Sequence, residues 1–129
     1  MNAGFFVPYS GKCLGNIVSD GTLVRTAGNI RNANFGLRSD GTFVVGYLSD
    51  EEVKSSANPF RQVVTGVVWL VRNGTSFVNQ SLGEECANIE ETGTMKAFAE
   101  VLSARSAVGY DKEGRLVLAK VEGESFKRG

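Results

Sequence analysis

The segment IVSDGTLV (Ile17–Val24) places an Asp-Gly pair between two short apolar runs, and LRSDGTFVVGYL (Leu37–Leu48) repeats the word SDGT. Two further segments follow the same plan with a different turn: VVWLVRNGTSFV (Val67–Val78) has Asn-Gly, and VGYDKEGRLVLA (Val108–Ala119) has Lys-Glu-Gly. Asp-Gly and Asn-Gly supply the positive φ angles that tight turns between strands require. The pattern predicts four β-hairpins. We interpret the two SDGT words as the same turn used twice, not as a repeat architecture.

Two segments depart from this β pattern. LSDEEVKSSANPF (Leu48–Phe60) is polar and acidic at its start, and Ser49 followed by Glu52 predicts a capping box on a short helix. TGTMKAFAEVLSAR (Thr92–Arg105) carries apolar residues at helical spacing, with Thr94 as its predicted N-cap. Helices between hairpins predict an α+β domain built on an antiparallel or mixed β-sheet with one or two short helices.

Composition excludes several classes of function. The 129 residues carry 14 Lys and Arg against 14 Asp and Glu, so the net charge of zero gives no electrostatic reason to expect a nucleic-acid partner. The chain has no histidine, which excludes Ser-His-Asp and Cys-His nucleophile systems and imidazole-ligated zinc. No phosphate-binding glycine motif occurs, and nothing in the sequence indicates a metal or a cofactor. The longest apolar run, GVVWLV, is too short to span a bilayer, and no signal peptide pattern follows Met1.

Arg105 is the candidate site residue that the sequence itself singles out. It lies among small residues that lead into a segment interpreted as a buried strand. In a strand, Arg105, Ala107 and Gly109 share a face, which leaves room beside the guanidinium for a planar anion. Arginine presents paired donors that suit a phosphate or a carboxylate. An internal salt bridge is the alternative, and the sequence leaves both open. The acidic run Asp50–Glu52 is interpreted as a solvated helix N-terminus, not as the paired carboxylates of a glycosidase.

Two further residue pairs indicate in which cellular compartment the protein folds. Asn73 and Asn79 both match the N-glycosylation acceptor pattern, which favours a secretory origin. Cys13 and Cys86 are compatible with a disulfide in an oxidising compartment and with two thiols in a reducing one. Their pairing partners stay open.

The words NAGFF, CLGNIVSDG, GLRSDGTFVVGYLS, NPF, GVVWLVRNGTSFVNQS and SARSAVGYDKEGRLVL together closely resemble the catalytic domain of the phosphodiester glycosidase family. The resemblance runs in one register from Asn2 to about Gly129, and it implies that residues 1–129 are part of such a domain. Arg105 matches the arginine of an ARTA-like family word and is the implied catalytic residue. Asn2 and Gly4 match the family's Asn-Gly-Gly-Phe opening and are the implied substrate-binding residues, although position 3 carries alanine.

The resemblance also implies a function. Such a hydrolase removes an N-acetylglucosamine cap from phosphorylated high-mannose glycans on lysosomal enzymes, which exposes mannose 6-phosphate, the lysosomal sorting signal. The implied location is the secretory pathway at the late Golgi, with a membrane-anchored full-length form and a soluble chain here. A glycine-rich DGGGS-like family word is not reached before Gly129, so the chain is expected to be an incomplete domain. The alternative is a catalytically inactive, truncated product that binds sugar phosphates.

Overall fold

The computed structural model describes residues 15–85, 88–89 and 93–123, with the backbone alone at 88, 89, 93–95 and 98. Its strands are β1 (Ile17–Ser19), β2 (Thr22–Arg25), β3 (Asn34–Arg38), β4 (Phe43–Gly46), β5 (Phe60–Thr65), β6 (Val71–Arg72), β7 (Thr75–Ser76), β8 (Asn88–Ile89), β9 (Gly93–Thr94), β10 (Arg105–Tyr110) and β11 (Leu116–Val121). Its helices are α1 (Asp50–Lys54), α2 (Val78–Glu84) and α3 (Met95–Glu100). This arrangement of antiparallel strands and short helices confirms the predicted α+β class.

All four predicted hairpins form. Strands β1 and β2, β3 and β4, β6 and β7, and β10 and β11 each pair antiparallel around the expected glycine turns. The third hairpin is shorter than predicted, because β6 and β7 have two residues each and begin only at Val71. Asn73 and Gly74 form its turn with φ angles of 51° and 75°. The Asn-Gly turn therefore has the left-handed backbone that its sequence predicted.

The two SDGT words form different turns, so the interpretation of one turn used twice is wrong. In the first, Asp20 and Gly21 alone connect β1 to β2, with φ angles of 48° and 79°. In the second, residues 39–42 connect the strands and Gly41 has the positive φ, at 87°. Asp40 there accepts hydrogen bonds from the Thr42 N–H at 2.9 Å and its hydroxyl at 2.7 Å. Backbone hydrogen bonds close this longer connection, from the Gly41 N–H to the Arg38 carbonyl oxygen at 3.0 Å and from the Arg38 N–H to the Thr42 carbonyl oxygen at 2.9 Å, and the aspartate side chain adds to them.

The predicted capping box is present on α1. The Ser49 hydroxyl accepts from the Glu52 N–H at 3.1 Å, and the Glu52 carboxylate accepts from the Ser49 N–H at 2.8 Å. Acidic residues occupy the first turn and Asp50 pairs with Lys54, which confirms the helix-terminus interpretation of the acidic run. Helix α3 is also confirmed, within narrower bounds than predicted. Thr94 directly precedes it in β9, and its side chain lies outside the description.

Five strands form the main sheet, in the order β2-β1-β5-β3-β4, with every neighbouring pair antiparallel. The central strand β5 was not predicted, because it follows Pro59 and no turn motif of its own marks it. The core cluster on this sheet consists of Val18, Leu48, Val53, Phe60 and Val63. Gly36 makes room for it, since a methyl group at Gly36 would lie 2.7 Å from the Phe60 ring.

The hairpin of β10 and β11 is a separate two-stranded sheet. Tyr110 at its turn stacks on Phe43 of the main sheet, with 6.3 Å between ring centroids. The strand that begins at Arg105, β10, is only partly buried, and every residue of its partner β11 is exposed, so the prediction of a buried strand after Arg105 is wrong for the described part of the chain. None of the described helices has the length and the apolar character needed to cross a membrane.

Candidate functional site

Arg105 is the first residue of β10 and lies directly opposite Val121 of β11. Its side chain is half-buried, and its Nη2 donates a hydrogen bond to the Val101 carbonyl oxygen at 2.9 Å. This bond ties the guanidinium to the turn that joins α3 to the strand. Ala107 and Gly109 alternate onto the same face as Arg105. A methyl group at Gly109 would meet nothing within 4 Å, so that end of the face is open.

Gly123 packs against the backbone directly before Arg105, and the sequence did not single it out. A methyl group there would lie 2.3 Å from the Ala104 nitrogen and 2.3 Å from the Ser103 carbonyl carbon. These are backbone atoms, which cannot move aside as a flexible side chain can. Only a residue without a Cβ fits this contact. The approach joins segments distant in sequence, so no local motif marks it.

Several predicted residues lie outside the described part of the chain, namely Asn2, Gly4, Cys13 and Cys86. The two acceptor asparagines are described, and both are exposed. Asn73 is at the tip of the β6–β7 hairpin, and Asn79 is in the first turn of α2. Ser81, the hydroxyl residue of the second acceptor pattern, is fully buried. Glycan attachment at Asn79 would therefore have to precede the folding of α2, and glycosylation at both positions stays a prediction.

Two groups of buried polar residues meet at one end of the main sheet. The first, the asparagine cluster, consists of Asn16, Asn34 and Thr65. Asn34 Oδ1 accepts from Asn16 Nδ2 at 3.2 Å and from the Thr65 hydroxyl at 2.8 Å. Asn34 Nδ2 donates to the carbonyl oxygens of Asn32 and Gly46. Because its buried donors and acceptors are paired, this cluster stabilises the ends of β3, β4 and β5 and shows no unmet need for a ligand.

The second group, the Glu85 cluster, consists of Tyr47, Trp69, Ser81 and Glu85. The Ser81 hydroxyl donates to Glu85 Oε1 at 2.5 Å and accepts from the Trp69 backbone N–H at 2.9 Å. The Tyr47 ring packs edge-on against the Trp69 ring, with 5.1 Å between centroids. Tyr47 follows β4, Trp69 follows β5 and Glu85 caps the end of α2. Sequence reasoning gave the pair Glu84-Glu85 no role, and α2 itself was not predicted.

Burial controls protonation in the Glu85 cluster. It raises the pKa of Glu85, against the hydrogen bonds from Ser81 and Tyr47 that lower it. Burial, with the nearby Glu85 carboxylate, raises the pKa of Tyr47 to about 12. The Tyr47 hydroxyl thus lies close enough to affect Glu85. Even so, neither that hydroxyl nor Glu85 Oε2 makes a hydrogen bond of normal geometry.

The pKa values of three other carboxyl groups are lowered, and hydrogen bonds rather than burial are the cause. Hydrogen bonds from Thr42 lower the pKa of Asp40, and the bond from Lys54 lowers that of Asp50. The Arg115 backbone N–H lowers the pKa of Asp111. These groups are held as anions in turns and at a helix end. Within the described ranges, no group of three or more His, Cys, Asp or Glu residues is arranged to hold a metal ion.

Comparison with known proteins decides the family. The sequence model of the family described as phosphodiester glycosidase matches residues 1–129. The chain belongs to this family. It is 52% identical to mouse and 51% identical to human N-acetylglucosamine-1-phosphodiester alpha-N-acetylglucosaminidase, each over 128 residues. These alignments cover 99% of this phosphodiester glycosidase chain and 25% of each relative, so the chain spans about a quarter of their length.

A solved structure agrees with this assignment. It is the catalytic domain of the zebrafish N-acetylglucosamine-1-phosphodiester alpha-N-acetylglucosaminidase, auto-inhibited by its pro-peptide. The two structures superpose with a TM-score of 0.81 at 52% sequence identity, over 95% of this phosphodiester glycosidase chain and 40% of the zebrafish chain. The family resemblance and the α+β class predicted from sequence are both confirmed.

Proposed function

We propose that the native protein carrying this chain hydrolyses N-acetylglucosamine-1-phosphodiesters, releasing N-acetylglucosamine and exposing mannose 6-phosphate on glycans of lysosomal enzymes. The supporting observation is the identity of 51–52%, over 99% of the chain, to three mammalian enzymes named for this activity. Since the chain spans about a quarter of each relative, the activity is proposed for the native gene product.

The chemistry assigns a role to Arg105. The bond between the sugar's anomeric carbon and the bridging phosphate oxygen breaks, and its electron pair leaves with the phosphomonoester. The oxygen of a water molecule bonds to the anomeric carbon, and the water releases one proton to solvent. Positive charge develops on the sugar ring and negative charge on the leaving phosphate. A bidentate guanidinium stabilises that negative charge. The bond from Arg105 to the Val101 carbonyl supports this role, because it holds the guanidinium in one orientation.

Asn2 and Gly4 complete the proposed substrate site. Asn2 hydrogen-bonds the sugar or phosphate oxygens through its side-chain amide, and Gly4 permits close approach of the backbone to the substrate. The basis for both assignments is their match to the family's opening motif.

Arg105→Lys tests the proposed function in the native gene product. We expect kcat/KM for N-acetylglucosamine release from a phosphomannose diester to fall by roughly 100-fold or more, because lysine keeps the charge but loses the bidentate fork. Arg115→Lys is the matched control, since Arg115 is an exposed arginine at the turn of the same hairpin. Near-normal turnover in Arg105→Lys would sink the assignment. A wild-type protein that binds the diester without cleaving it would favour the binding-only alternative.

The secretory location, the late-Golgi site of action and the membrane-anchored full-length form are part of the same proposal. Exposure of Asn73 and Asn79 supports it, since a glycan must project into solvent. Intact mass of the native gene product, before and after enzymatic removal of N-glycans, checks it. A mass well above 13.8 kDa after deglycosylation, with a shift on treatment, is expected. An unshifted mass would argue against the secretory assignment.

A further inference from the structure

Glu85 joins three separate parts of the fold. It caps the C-terminal end of α2, bonds Ser81 one turn earlier, and reaches Trp69 after β5 through the Ser81 hydroxyl. Tyr47, which follows β4, closes the cluster from the sheet side through its edge-on contact with Trp69. Glu85 is 6% exposed and Ser81 is 0% exposed. The docking of α2 against the end of the sheet therefore depends on a buried carboxyl.

The protonation state of this carboxyl matters because no cation in the described part of the chain neutralises it. A buried carboxylate is costly unless it is paired. Among the described residues no salt bridge includes Glu85; its neighbour Glu84 pairs instead with Arg31 at 3.8 Å. Within the described ranges, the other nearby charged or titratable groups are Tyr47, which keeps its proton to a pH of about 12, and Arg72, which lies over the Trp69 ring at 5.0 Å.

The unpaired atoms indicate which protonation state the docked helix favours. Glu85 Oε2 and the Tyr47 hydroxyl are both buried without a hydrogen bond of normal geometry, whereas the neighbouring asparagine cluster pairs its groups. Ionising Glu85 would leave a negative charge in this setting, which the Ser81 and Tyr47 hydroxyls and the backbone N–H groups of Trp69 and Ala33 favour but which no cation among the described residues pairs with. A neutral carboxyl avoids that buried charge.

We propose that Glu85 is a proton-operated latch, whose neutral form holds α2 on the end of the main sheet and whose ionisation loosens that contact. The direction of the pH dependence follows from the thermodynamic linkage between protonation of Glu85 and docking of α2. Burial raises the pKa of Glu85 above its ordinary value of 4.5, so the docked state binds the proton more tightly than the undocked state. Docking is strongest below that ordinary value and weakens as the pH rises through the raised pKa.

Hydrogen exchange of the α2 amides in the native gene product tests the latch. Protection factors, corrected for the intrinsic pH dependence of exchange, are measured between about pH 4.5 and about pH 8. In the wild type we expect protection at residues 78–85 to fall as the pH rises, while that of β3 and β5 stays constant. Glu85→Gln should remove this pH dependence, because glutamine is neutral throughout. Glu84→Gln is the matched control and should keep the wild-type profile, since Glu84 is exposed.

Tyr47→Phe gives a second, independent test of the same pair. The Tyr47 hydroxyl favours the ionised form of Glu85, so its removal should shift the midpoint of the profile to higher pH. If Glu85→Gln does not fold, this shift decides the matter. A flat wild-type profile, an unchanged profile in Glu85→Gln, or an unmoved midpoint in Tyr47→Phe would each overturn the latch. Because exchange is measured without substrate, these outcomes are distinct from a failure of the proposed hydrolysis.

Discussion

Gly123 shows how much one missing Cβ can decide. Its backbone packs on Ser103 and Ala104, directly before Arg105. We expect Gly123→Ala to destabilise the native gene product by roughly 1–3 kcal/mol, because the added methyl group overlaps backbone atoms that cannot yield cheaply. It should also displace the chain at Arg105 and lower kcat/KM. Chemical denaturation and turnover of the phosphodiester measure the two effects.

The control for this prediction is Gly109→Ala in the same hairpin. A methyl group at Gly109 meets nothing within 4 Å, so this variant should be as stable as the wild type and is the control for stability alone. Equal stability in the two variants, or wild-type turnover in Gly123→Ala, would show that the Gly123 contact does not determine the position of Arg105.

Helix α1 is the element whose formation is most directly explained by its local sequence. Ser49 and Glu52 satisfy each other's backbone N–H groups, and Val53 of this helix belongs to the core. We expect Ser49→Ala to lower the free energy of unfolding by about 1 kcal/mol, because one N-terminal N–H group loses its acceptor. Ser56→Ala, at an exposed serine beyond the helix, should have little effect. Indistinguishable denaturation midpoints for these variants would contradict the capping role.

Elements also show the limit of local patterns. The same SDGT word forms a two-residue turn at Asp20-Gly21 and a longer turn around Asp40, in which the aspartate side chain adds hydrogen bonds to those of the backbone. The difference depends on pairing: Arg38 lies opposite Phe60 of β5, after a shift in strand register. Neighbouring strands thus select the turn from those that the sequence allows.

At the scale of the whole molecule, the β10–β11 hairpin carries a dense group of exposed apolar side chains. Leu116, Val117, Leu118 and Val121 are exposed on both faces of β11, with Leu118 at 67%. A strand that is apolar on both faces is typical of one covered on both sides. An uncovered strand of this kind pairs readily with other chains.

The isolated chain of residues 1–129 should therefore self-associate, and Leu118→Lys should reduce this. The added charge removes apolar surface and disfavours strand pairing between molecules. Analytical ultracentrifugation at matched concentrations measures the effect. Ser106→Lys is the control, because it adds the same charge to the same hairpin at a residue that is already polar and exposed. If both lysines act equally, net charge and not the apolar face controls association.

The sequence by itself determined the hairpins, the capping box of α1 and the family, because each depends on residues close together or on a register kept over the whole chain. It also indicated Arg105, through the small residues around it. It did not reveal the central strand β5, the helix α2, the contact at Gly123 or the burial of Glu85. Each of these depends on segments distant in sequence. The segment of β5 is a strand because β1 and β3 pair with it. The pKa of Glu85 is raised because the residues that follow β4 and β5 bury its carboxyl group. Only the tertiary structure brings such groups together, and with them the surroundings that set their chemistry.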